Sequence, residues 1–207
     1  MSASPLPLKV LLGTANRHKI EEIRQIWQPY PLQAEAIDPT KGWPDAPETG
    51  LTYLDNALQK AKFYFELTGM PCVADDSGLE IAVLQWQPGV HTKRFTPEGF
   101  SQEQRLQYML ERLKDFPQPE QRQARYRCTA VAYGFTETPI ITEGVINGYI
   151  ASIPAGHGGF GYDPIFHLLD REATLAQVSE NVKNAVSHRG QAMRLIAAEL
   201  LALSPHH

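Results

Sequence analysis

The chain has 207 residues, 43% of them hydrophobic and 20% charged, with 19 Lys plus Arg against 23 Asp plus Glu and a formal net charge of −4. That is the size of one globular domain with a core that needs no staples. Mild acidity without a basic run excludes a protein that coats nucleic acid or a membrane surface, so any anionic ligand must be met by a few local cations. Cys72 and Cys128 lie far apart in apolar stretches, outside any CxxC or Cys/His cluster. A disulfide scaffold and a zinc site are both disfavoured. The start MSASPLPLKV has no signal-peptide pattern, and no apolar run reaches the length of a membrane span. A cytosolic protein is expected.

In chain order, Lys9 to Thr14 reads as a buried strand leading into a helix over Arg17 to Gln28. Ile20, Ile23 and Trp27 form the inner face of that helix, Glu21, Glu22, Arg24 and Gln25 face away, and Pro29 ends it. Pro39 to Pro47 is a proline-rich loop. The next helix carries Leu54, Ala57, Leu58, Ala61 and Phe65 on one face, with Thr52 and Asp55 as cap and Gly69 and Pro71 as terminators. Pro71 to Ala74 is a short strand stopped by the turn-forming quartet Asp75-Asp76-Ser77-Gly78. Ser101 and Gln104 make a capping box before Leu106, Met109, Leu110 and Leu113. Strands follow over Arg125 to Tyr133 and Ile140 to Ile150, then a glycine-rich turn at Gly156 to Gly161 and one or two helices from Ser179 to Leu203. Early alternation and late paired strands predict an α/β fold, a mixed sheet with helices on its faces.

Four places could carry chemistry. At Thr14 to Lys19 a helix N-terminus, hydroxyl and amide donors and one lysine suit a phosphate, but by themselves these residues read first as Asn16 capping the helix with Lys19 solvated. Neither a Walker loop nor a dinucleotide fingerprint is present. Glu48, Asp75 and Asp76 are the carboxylates Mg²⁺ prefers, but Asp75 and Asp76 converge on one ligand only if the chain turns there. The other reading is a charge near a helix start and an ordinary surface turn. In Gly158 to Pro164, Phe160 and Tyr162 offer base-stacking faces, or else pack in the core beside a tight turn. Ser187 caps the last helix, and Lys183, His188 and Arg189 stand at its start either as a solvated basic turn or, since cations there oppose the dipole, facing an anion or a carbonyl-rich base edge. His18, His91, His157, His167, His206 and His207 have no ligand spacing and receive no role.

Together, Thr14 to Lys19, Glu48 to Thr52, Ala74 to Leu79, Pro88-Gly89-Val90, Gly159 to Phe166 (GFGYDPIF) and Ser187-His188-Arg189 resemble, in order, the inosine triphosphate pyrophosphatase family. The resemblance covers nearly the whole chain. It implies a single domain over 1–207, an elongated two-lobed α/β fold with a long mixed sheet flanked by helices and a cleft between the lobes, acting as a homodimer with Mg²⁺. It also implies hydrolysis of ITP, dITP and XTP to the monophosphate and pyrophosphate, which keeps deaminated purines out of DNA and RNA.

Position by position, the resemblance makes Thr14, Asn16 and Lys19 phosphate contacts. Glu48 and Asp76 become metal ligands, and Asp76 also the proton acceptor for water, with Asp75 as second candidate. Ser77 becomes a substrate contact, Phe160, Gly161, Tyr162 and Asp163 the nucleotide-binding turn, and Lys183, His188 and Arg189 contacts to phosphate and base. The sequence departs from the family where TANRHK lacks the usual glycine after threonine, and where Thr92-Lys93-Arg94 replaces a Ser-Ala-Arg pattern, which leaves Arg94's role open. Two rivals remain: a septum-inhibitor-type pyrophosphatase acting on dTTP, UTP or modified nucleotides, which the GFGYDP and SHR motifs disfavour, and a non-catalytic nucleotide binder, which would not need both Glu48 and Asp76. A glycosidase fails on geometry, because its two carboxyls must flank a bond about 5–9.5 Å apart and sequence neighbours at a turn rarely do.

Overall fold

The computed structural model describes residues 7–37 and 42–203; the first part of the predicted proline-rich loop, 39–41, lies outside the described residues. In chain order the elements are β1 (Leu8–Leu12), α1 (Arg17–Trp27), β2 (Leu32–Ala36), α2 (Tyr53–Thr68), β3 (Cys72–Ile81), β4 (Gln87–Pro88), α3 (Gln102–Arg112), β5 (Gln123–Tyr133), β6 (Ile140–Ile150), β7 (Phe166–Leu168), α4 (Glu180–Val186) and α5 (His188–Leu203). The strands run in the order β2-β1-β3-β5-β6-β7, with β4 beside β3. β1 is parallel to β2 and to β3, whereas β3/β4 and β6/β7 are antiparallel, so the sheet is mixed as predicted. No helix among the described residues is long and apolar enough to cross a membrane.

Contacts divide the chain into two compact units: Met1–Asp76 with Cys128–Gly144 and Arg189–His207, and Ser77–Arg127 with Val145–His188. In the first, Ile20, Ile23 and Trp27 of α1 pack with Val10 and Leu12 of β1 and with Met193, Ile196 and Leu200 of α5. Trp27 keeps its indole N–H satisfied by donating to the Met193 carbonyl at 2.9 Å. In the second, Leu106 and Met109 of α3 cover Leu79, Ile81, Ile150 and Phe166. Burying a side chain of this size stabilises by about 1.5–3 kcal/mol.

Both predicted capping boxes are formed, by Thr52 with Asp55 on α2 and by Ser101 with Gln104 on α3. Three strands carried too little signal to be foreseen. β2 (LQAEA) lies at the sheet's edge and is only half-buried, and β4 and β7 have two and three residues, too short for a period to show. The predicted first strand closes earlier, because the Thr14 N–H turns back to the Leu12 carbonyl at 2.8 Å.

One difference bears on function. The Asp75-Asp76-Ser77-Gly78 quartet is not a turn: β3 runs straight through it from Cys72 to Ile81. Its start pairs with β1, through Leu11 opposite Cys72. Its end is held by Glu80 opposite Pro88 and by the Leu79 N–H donating to Thr92 Oγ1 at 2.9 Å. Pairing at both ends overrides a local turn preference.

Candidate functional site

Since β3 is extended at Asp75 and Asp76, the two side chains point to opposite faces. Asp75, 1% exposed, meets three groups through Oδ2: Lys19 Nζ at 2.9 Å, Arg189 Nε at 3.3 Å and the Cys128 thiol at 3.7 Å. Its Oδ1 is buried with no hydrogen-bond partner among the described residues. Burial alone would raise this carboxyl's pKa, but Lys19 and Arg189 outweigh it and hold the group well below the usual carboxylate range. Burial in turn pulls the Lys19 ammonium below its ordinary value, against the attraction of Asp75.

Asp76 belongs to a separate cluster. Its Oδ2 accepts from Asn56 Nδ2 at 3.0 Å, and Lys60 Nζ lies 3.5 Å from its Oδ1 and 2.7 Å from Glu48 Oε1. Asn56 and Lys60 stand one turn apart on α2, both buried. Burial opposes the Lys60 charge, yet Asp76, Asp75 and Glu48 together raise its pKa above the ordinary lysine value. Among the described residues no three His, Cys, Asp or Glu side chains gather as a metal cage. Glu48 and Asp76 nonetheless converge on one positive centre, and two carboxylates leaving further positions to water and phosphate are a donor set that Mg²⁺ accepts. The pair fits the ion.

In the first loop, Asn16 caps α1, its Oδ1 accepting the Lys19 N–H at 3.3 Å, while its own N–H donates to Thr14 Oγ1 at 3.2 Å. The capping role and an exposed, donor-rich helix start therefore coexist. Helical spacing along α1 points Glu22 outward; instead its carboxylate reaches Arg189 Nη1 at 2.5 Å, with the Glu22 side chain 13% exposed. The anion that explains Arg189 at a helix start is thus supplied in part by the protein itself, through Glu22 and Asp75.

Within the second unit the GFGYDP turn is braced by Asp163, whose Oδ2 accepts the Phe160 N–H at 2.9 Å and Lys183 Nζ at 2.6 Å. Gly159, at φ +68°, is required there: a Cβ would lie 2.1 Å from Asp163 Oδ2. Lys183 sits 4.8 Å from the centroid of the half-buried Phe160 ring. Tyr162 packs into the core, where burial pushes its hydroxyl up to about 12. The Gly161 carbonyl accepts from Gln102. His188 lies flat against Tyr126, centroids 4.7 Å apart and planes 8° from parallel. Ser77 stands half-buried on β3. Ser187 separates two helices, donating its N–H to the Lys183 carbonyl at 2.8 Å.

Asn56, Lys60, Glu22 and Tyr126 were not singled out from sequence. For Asn56 and Lys60 a signal existed: two polar residues four apart beside Ala57 and Ala61, inside an apolar helix face. Cys72 and Cys128 are both buried.

Comparison with known proteins gives this arrangement a setting. The chain is 40% identical over 190 residues to a dITP/XTP pyrophosphatase of Photorhabdus laumondii subsp. laumondii, and 42% identical over 190 residues to a dITP/XTP pyrophosphatase of Escherichia coli O157:H7. Each alignment covers 91% of this chain and 95% of the relative. Its fold matches the structure of a HAM1 protein from Coxiella burnetii at a TM-score of 0.82 and 36% identity, over 94% of this chain and 99% of that one. Residues 10–199 match the Ham1 family as a whole. The chain belongs to the Ham1 family.

Proposed function

We propose that this protein hydrolyses dITP, ITP and XTP to the corresponding monophosphate and pyrophosphate. The observation that carries the reading is the pair Glu48 and Asp76 gathered on Lys60, in a chain 40% identical over 190 residues to a dITP/XTP pyrophosphatase. Mg²⁺ held by Glu48 and Asp76 would polarise the α-phosphoryl oxygen and favour departure of pyrophosphate. The chain's own residues do the rest. Water oxygen bonds to the α-phosphorus, the bridge from α-phosphorus to the β-phosphate oxygen breaks, and the proton from water passes to Asp76. Thr14, Asn16 and Lys19 hold phosphate oxygens, with Lys60 as a further cation. Ser77 contacts the substrate, the Phe160 to Asp163 turn with Lys183 and His188 holds the nucleotide, and Arg189 donates to a 6-keto oxygen of the base. A 6-amino group would present a donor to that donor, and each buried group so left unpaired costs about 1–3 kcal/mol. The reading further takes the enzyme to be cytosolic and a homodimer; light scattering on the purified protein tests the dimer.

The deciding experiment measures pyrophosphate released from ITP, XTP, ATP, GTP and dTTP with Mg²⁺ present. Rates on ITP and XTP should exceed those on ATP and GTP by roughly 100-fold or more, as two unpaired contacts would produce. Equal rates on the purines would remove the base-selectivity claim. Preference for dTTP would favour the septum-inhibitor-type reading instead.

A further inference from the structure

Asn56 lies on α2 one turn before Lys60 and is 2% exposed. An amide buried so deeply needs partners at both ends. Its Nδ2 donates to Asp76 Oδ2 at 3.0 Å, and its Oδ1 accepts the Gly50 N–H at 2.8 Å. One planar group therefore ties the acid on β3 to the loop that carries Glu48. Capping does not account for the second bond, because Thr52 and Asp55 already cap α2. Gly50 is drawn so close that a Cβ there would lie 2.4 Å from Asp55 Cβ and 2.9 Å from Asn56 Oδ1.

We infer that Asn56 is a positioning residue that aims Asp76 and anchors the Glu48 loop, so that both carboxylates face the same cation. The inference rests on the roles given above to Glu48 and Asp76. With Oδ2 of Asp76 pinned by the amide, its carboxylate cannot rotate without losing that bond, and Oδ1 stays turned toward the point Lys60 now touches at 3.5 Å. Partners that orient a metal-binding carboxylate typically matter by about 10–100-fold in metal affinity or activity.

The test compares Asn56→Ala, Asp76→Asn and the double variant. Two quantities are read: turnover of ITP, and calorimetric binding of imidodiphosphate, a non-hydrolysable pyrophosphate mimic, with and without Mg²⁺. Asn56→Ala should lower kcat roughly 10–100-fold with KM for ITP nearly unchanged, and should cut by about tenfold the affinity gain that Mg²⁺ confers on imidodiphosphate. In the Asp76→Asn background, Asn56→Ala should change neither quantity further, because residues that act through one carboxylate are not additive. Additive losses, or an Asn56→Ala protein equal to the parent in both readouts, overturn the inference and leave Asp76 in place. Full activity of Asp76→Asn removes the reading on which it rests. If Asn56→Ala melts below the assay temperature, Asn56→Ser, which keeps a polar atom near the Gly50 N–H, carries the same comparison.

Discussion

Asp75 and Asp76 are consecutive residues of one strand whose carboxylates serve different clusters: Asp75 is a buried anion between Lys19 and Arg189, and Asp76 faces Asn56 and Lys60. Extended backbone turns the two carboxylates to opposite faces, although Asp75 still adds to the negative charge that raises the Lys60 pKa. Substitutions at the two sites should consequently fail in different ways.

Asp76→Asn keeps the hydrogen-bonding shape of the residue and loses its basicity. A positioned general base contributes roughly 10²–10⁴-fold, so kcat on ITP should fall by that order with the circular dichroism spectrum unchanged. Retained activity would take the proton-acceptor role from Asp76.

Asp75→Asn should instead reduce stability. It leaves Lys19 short of its carboxylate and Arg189 with Glu22, and removing one partner of a buried ion cluster costs about 3–5 kcal/mol. Urea unfolding at neutral pH measures this. A loss under about 1 kcal/mol would mean that the cluster contributes little to the fold.

Stability should decline in alkali. Burial pushes the Cys72 thiol from 9.0 up to about 12 and the Tyr162 hydroxyl from 10.0 up to about 12. Above pH 9 the unfolded chain releases protons that the folded chain keeps. The contribution of these groups is therefore complete below their unfolded values and shrinks as pH rises toward 12. Each group adds a slope of up to about 1.4 kcal/mol per pH unit inside its window. Urea midpoints between pH 8 and pH 10.5 should fall, and less steeply in Cys72→Ala; a flat profile would contradict the shifts. Disulfide-exchange reagents at pH 8 should label neither cysteine before unfolding.

Thr52→Ala removes the cap of the helix that carries Asn56 and Lys60. It should cost about 1 kcal/mol in unfolding free energy and leave kcat close to the parent's, because α2 is also held by its buried face. A large loss of kcat would show that the cap, beyond supporting the helix, also sets the site.

Where a signal was local, the sequence was sufficient. Capping boxes at Thr52 and Ser101, apolar spacing along α1, and the ordered motifs from Thr14 to Arg189 are all properties of short stretches of chain. They predicted the mixed α/β class and the family. On α2 the expected face was only partly right: Ala57 and Ala61 are buried, but Leu54 is exposed, and Tyr53, Asn56, Lys60 and Tyr64 turn inward instead. Whether Asp75-Asp76-Ser77-Gly78 bends or extends was decided by pairing with β1 and β4, groups more than a hydrogen bond's reach away in sequence. The same applies to Glu22, placed opposite Arg189, and to Asn56, whose partners come from β3 and the Glu48 loop. Residue type and spacing state what a side chain can bind, but burial and the direction of an extended strand select which partner it meets, and those exist only once the chain has folded.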